Sequence, residues 1–149
     1  MNRLCSILLL IILMSSQEAC KKESGSHALI GKWYIRQYIR TASSTDTNFN
    51  SRVEFRYGDT STNYFCQFNR DGTGVQQIYT SGSPYNISPT NFTYSVADNN
   101  ITFSSNWALQ AKACSYEIPG NDTLTIRGYV NYTTYGRTIN SLEELKLTK

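Results

Sequence analysis

Residues 64–80 read YFCQFNRDGTGVQQIYT. Tyr64, Cys66 and Phe68 share one face of an alternating run, and a second run resumes at Val75. Between them stands Asp71-Gly72-Thr73-Gly74. Asp-Gly supplies the positive φ of a tight hairpin turn, so the stretch reads as two antiparallel strands with Gly74 as a candidate bulge.

The same grammar runs outward in both directions. Gly31–Arg40, GKWYIRQYIR, alternates, with Trp33, Ile35 and Ile39 on one face and Tyr34, Arg36, Tyr38 and Arg40 on the other. Val53, Phe55 and Tyr57 alternate with Arg52, Glu54 and Arg56. Phe92–Val96 and Ile101–Phe103 flank Asp98-Asn99-Asn100, and Ala113–Ile118 and Leu124–Val130 flank Pro119-Gly120-Asn121-Asp122. Leu142–Leu147 closes the chain as a strand or a helical turn, because Leu142 and Leu145 break alternation. The stretch SSNWALQAK at 104–112 is irregular, with room for a short helical turn. Eight or nine short strands joined by tight turns predict an all-β antiparallel meander, closed as a small barrel of about eight strands or folded as a β-sandwich.

Composition agrees. The chain has 149 residues, 40% hydrophobic and 17% charged, which suits one globular domain. A net charge of +3 is too small and scattered to point to nucleic acid.

Upstream of the domain, Leu4–Met14 is LCSILLLIILM after Arg3. Spanning a bilayer takes about 20 apolar residues, so this run reads as the core of a signal peptide over residues 1–19. Cys20 follows Ala19 and precedes Lys21-Lys22-Glu23. This arrangement resembles a bacterial lipoprotein signal of the Bacteroidetes type, although Gln17 and Glu18 stand where that family prefers Leu and a small residue. The resemblance implies cleavage before Cys20, lipidation of its sulfur and an anchor in the outer membrane of a bacterial cell envelope. Residues 20–27 then form the lipidated cysteine and a flexible tether, and the domain occupies 28–149.

Within the domain only Cys66 and Cys114 remain, an even pair for an oxidising compartment. A bridge between them would close a loop of about 49 residues and contribute about 4 kcal/mol; two buried free thiols are the alternative. Catalytic signals are sparse. His27 is the single histidine and lies beside the tether, which removes Ser-His-Asp and Cys-His chemistry from the core. No phosphate-binding glycine loop or zinc motif is present, so a non-enzymatic protein without metal or cofactor is expected. Glu143 and Glu144 are neighbours, face opposite ways on a strand, and are expected to be solvated.

Three motifs together resemble the bacterial lipocalin-like lipoprotein family: Gly31-Lys32-Trp33, Phe68-Asn-Arg-Asp-Gly-Thr-Gly74, and YEIPGNDTLTI at 116–126. The resemblance implies an up-and-down barrel with Trp33 plugging its closed end. It also implies a small apolar ligand, walled by Trp33, Tyr57, Phe68, Tyr94 and Tyr116. The alternative is a barrel filled with side chains that binds a glycan or protein through loop aromatics, with Tyr85, Trp107, Tyr132 and Tyr135 as candidates. Tyr129, Tyr132 and Tyr135 recur every third residue, which fits no single strand face.

Overall fold

The computed structural model describes residues 26–59, 61–78, 88–104 and 106–149. The expected signal peptide, Cys20, most of the expected tether and Tyr85 lie outside the described residues. One helical turn, α1 (Ser26–Leu29), precedes nine strands: β1 (Gly31–Ser44), β2 (Ser51–Arg56), β3 (Phe65–Phe68), β4 (Thr73–Gln77), β5 (Thr90–Ala97), β6 (Asn100–Phe103), β7 (Ala113–Glu117), β8 (Thr123–Thr134) and β9 (Arg137–Thr148).

All pairings are antiparallel, and β9 pairs back onto β1. Strands β1 and β3 to β9 therefore close an eight-strand barrel, and the sandwich alternative falls. β2 is the extra strand. It pairs with residues 37–42 of β1, while β3 pairs with residues 31–34, so the two lie end to end along one edge of β1.

The break between them has a structural consequence. The β1–β9 register shifts between Ile35 and Gln37, leaving Arg36 as a bulge. Its carbonyl accepts from the Tyr57 amide, and its guanidinium donates to the Gly58 and Ser61 carbonyls at 3.0 Å. Arg36 thus ties down the β2–β3 connection. The inserted residue also reverses the phase of β1. Tyr38, Arg40 and Ala42 turn inward with Trp33 and Ile35, and Ile39 turns outward, the reverse of the unbroken alternation expected above.

The expected hairpin forms as β3 and β4, with Gly72 at φ +80°, and the Asp71 carboxylate accepts from the Thr73 amide and hydroxyl. Gly74 is not a bulge, since it pairs in register with Phe68. Glycine is needed there because the Phe92 ring lies where a Cβ would stand, 2.2 Å away. The chain ends in a strand, and alternation over β9 is strict: Ile139, Ser141, Glu143, Leu145 and Leu147 all face in. Leu142 belongs to the outer face.

Candidate functional site

The barrel has two different ends. At the closed end Trp33 is fully buried, and its indole N–H donates to the Leu29 carbonyl at 2.7 Å, so α1 caps the floor. The Lys149 ammonium sits 4.6 Å over the same ring. Tyr94 and Tyr116 pin neighbouring turns, donating to the Asn69 and Asp98 carbonyls at 2.6 and 3.1 Å.

From the opposite end, residues 106–112 fold into the barrel. Trp107 is 3% exposed, so it is not displayed on a loop as the alternative reading of a surface binding module required. Its indole stacks on Phe103 at 3.8 Å and 3°, with Phe92 and Phe68 edge-on or tilted around it. The surrounding rings offer more apolar contact than any surface position could, which is why the loop turns in. Leu109 and Ala111 follow Trp107 into the core.

Two inward polar side chains hold this plug. Gln76 donates to the Asn106 carbonyl and accepts from the Ala108 amide, imitating a strand neighbour. Glu143 is 2% exposed and accepts from the Tyr38 hydroxyl at 3.1 Å and the Ala111 amide at 3.0 Å. It is not solvated, because strict alternation of β9 carries it inside. Burial, then the neighbouring Glu143 charge, pushes the Tyr38 hydroxyl well above its ordinary pKa. One donor is unmet: the buried Trp107 N–H finds no acceptor among the described residues.

Of the proposed ligand wall, Trp33, Phe68 and Tyr116 are buried in this packed core, Tyr57 is buried beside Tyr64, and Tyr94 packs edge-on to Phe68. Cys66 and Cys114 both face in, as expected, but both are free thiols. They stand on β3 and β7, which are opposite one another in the eight-strand ring, with the aromatic core filling the barrel between. A bridge would require the walls to collapse together. Burial raises the pKa of both thiols, Cys114 to about 12 with a further push from Glu143.

The open rim carries the aromatics that do reach solvent. β8 and β9 meet at Tyr135-Gly136, with φ of +48° and +73°. A two-residue turn of that kind favours Asn-Gly or Gly-Gly, and an aromatic residue there is under backbone strain. Tyr135 is nonetheless 89% exposed. Phe49 of the β1–β2 loop lies 6.4 Å from it, and the Arg137 guanidinium lies 5.6 Å from Phe49. Arg137 pairs with Asp46 at 2.7 Å, and Asp46 also accepts from the Asn48 amide. That pair locks the two rim loops together.

Tyr132 faces into the mouth below this rim. Arg40 donates to its hydroxyl at 3.3 Å and to the Ser141 hydroxyl at 3.2 Å. Tyr129 faces outward on β8 and is 74% exposed. The period-three tyrosines are thus outside, inside and at the tip. Phe49 and Arg137 have no motif that would have singled them out; only the long β8–β9 hairpin brings them beside Tyr135.

Among the described residues no helix is long and apolar enough to cross a membrane, and no three His, Cys, Asp or Glu side chains converge on a metal position. No protein-family model, curated protein or solved structure matches the chain, so its own geometry carries the functional reading.

Proposed function

We propose that the chain is a non-catalytic lipoprotein of the bacterial cell envelope, anchored through Cys20, whose filled barrel presents its open rim to a protein partner. The observation that carries the reading is Tyr135, a strained aromatic residue held in solvent. Local strain retained at an exposed position is a mark of function, since Asn would serve the turn better. Tyr and Arg are also the residue types that dominate binding energy at protein interfaces, and Arg137 stands beside it.

The direction of the tether supports the same reading. α1 lies at the closed end, beside the turns at 69–72 and 118–121. A lipid on Cys20 therefore draws the closed end toward the membrane and holds the rim away from it. Twelve residues of β9, tilted as barrel strands are, put the rim on the order of 30 Å farther out. The plug of Trp107, Leu109 and Ala111 favours the rim over a ligand in the barrel.

A photo-crosslinking residue at position 135 of the full chain, expressed in its own membrane, tests the proposal. A discrete protein adduct from position 135, absent from a control at Asn121 on the closed end, is expected. No adduct, or the same adducts from both positions, overturns it. A Cys20→Ala chain that stays in the membrane fraction would remove the anchor without touching the rim.

A further inference from the structure

A second surface, separate from the rim and the anchor, has the chemistry of a ligand site. A cleft of about 560 Å³ runs along the outer wall over β4 and β5, between the β3–β4 turn and the start of the plug. That volume lies within the range of small-molecule sites. Its polar wall is Asn69, Thr73, Asn91, Thr93, Ser104 and Asn106, and among the described residues no charged one lines it. Val75 gives it an apolar patch on the same outer face, and Gly74 and Phe92 complete the floor between the two strands.

Part of the wall is rigid. Gln67 donates to the Asn69 side-chain oxygen, Asn69 donates to the Thr73 hydroxyl at 3.0 Å, and that hydroxyl donates to Asp71. Ser104 is fixed to β5 twice, its amide donating to the Thr93 carbonyl and its hydroxyl accepting from the Thr93 amide. The backbone of Asn106 is held by Gln76. On this frame the side chains of Asn91, Thr93 and Asn106 make no hydrogen bond to other described residues. Asn91 and Thr93 are two apart on β5 and share its outer face.

We infer that this cleft binds a neutral saccharide unit. A ligand that fits needs several donors and acceptors close together, no net charge, and a C–H face for the floor. Amide and hydroxyl side chains each offer both donor and acceptor functions, which matches a hydroxyl on every ring carbon. A charged ligand would lose hydration without gaining a counter-ion. An apolar ligand would bury the uncommitted Asn and Thr groups unpaired.

The full chain, purified from membranes in a detergent without a sugar head group, is tested by saturation-transfer NMR against glucose, galactose, mannose, N-acetylglucosamine and glucuronate. At least one neutral sugar is expected to bind at about 1 mM or tighter. Asn91→Ala and Asn106→Ala, both exposed and outside the core, are expected to weaken it at least about tenfold each, and Asn121→Ala at the closed end to leave it unchanged. Glucuronate is expected to bind at least about tenfold more weakly than the best neutral sugar. No transfer from any neutral sugar at about 20 mM overturns the inference. So does binding that both Asn variants leave intact, or glucuronate binding of equal strength. Loss of the rim adduct at position 135 bears on none of these outcomes.

Discussion

Replacing Trp107 separates a plug from a surface anchor. A buried Trp removes about 200–250 Å² from water, worth roughly 5–6 kcal/mol at 25 cal/mol per Å². A compact denatured state and the Cβ retained in alanine lower that to about 4–5 kcal/mol. The indole N–H has no acceptor among the described residues, and removing it returns about 1–2 kcal/mol. Trp107→Ala is therefore expected to cost about 3 kcal/mol. Trp107→Phe keeps the ring against Phe103 and deletes the unmet donor, so it is expected to fall within about 1 kcal/mol of the parent. Urea unfolding of residues 26–149, followed by circular dichroism, reads both. With a slope of about 1.5 kcal/mol per M, the alanine midpoint drops on the order of 2 M and the phenylalanine midpoint hardly moves. An alanine variant within about 0.5 kcal/mol of the parent would mean that Trp107 lies outside the core. Equal losses for both variants would mean that the unmet N–H is in fact satisfied.

Three further outcomes follow from the same contacts. Glu143→Ala leaves the buried Tyr38 hydroxyl and Ala111 amide without an acceptor and is expected to cost about 3 kcal/mol, whereas Glu143→Gln retains one acceptor and costs less; equal urea midpoints for both would contradict this. Tyr135→Asn relieves the turn and is expected to raise stability by about 1 kcal/mol, so a destabilised variant would show that the tyrosine contributes packing. The pH dependence has a definite sign. Cys66, Cys114 and Tyr38 all have raised folded pKa values, so the native state holds their protons more tightly than the unfolded chain does. Their contribution is present in full below the unfolded thiol value of 9.0 and is lost as pH rises toward the folded values, about 12 for Cys114. The thermal midpoint should fall above pH 9 and fall less steeply in a Cys66→Ala/Cys114→Ala chain; identical slopes would rule out the thiols as its source.

The hairpins at 71–74, 98–100 and 119–122 were legible because their turn residues and flanking alternation state the same thing locally. Barrel closure was legible only as a class, since strand count does not reveal that β9 returns to β1. What escaped the sequence depends on contacts far along the chain. The Arg36 bulge exists because the β2–β3 connection crosses there, and it reverses the facing of Tyr38, Arg40 and Ile39. Glu143 looked solvated because a carboxylate is rarely buried. Its inward position is set by the alternation of β9, and its partners come from β1 and the plug. Trp107 looked like a displayed aromatic in a polar loop, and only the rings on β3, β5 and β6 show why it turns in. Tyr135-Gly136 was missed as a turn because Tyr is a poor residue for that backbone. The same conflict is what marks it as a candidate site.

A filled barrel or an occupied one is decided by comparing the intact mass of the membrane-purified chain under native and denaturing conditions. One mass in both states, accounted for by the polypeptide and its covalent lipid, is the expected result. A small apolar companion that survives gentle ionisation and leaves on unfolding would place a ligand where Trp107 is packed, and would contradict the rim as the working surface.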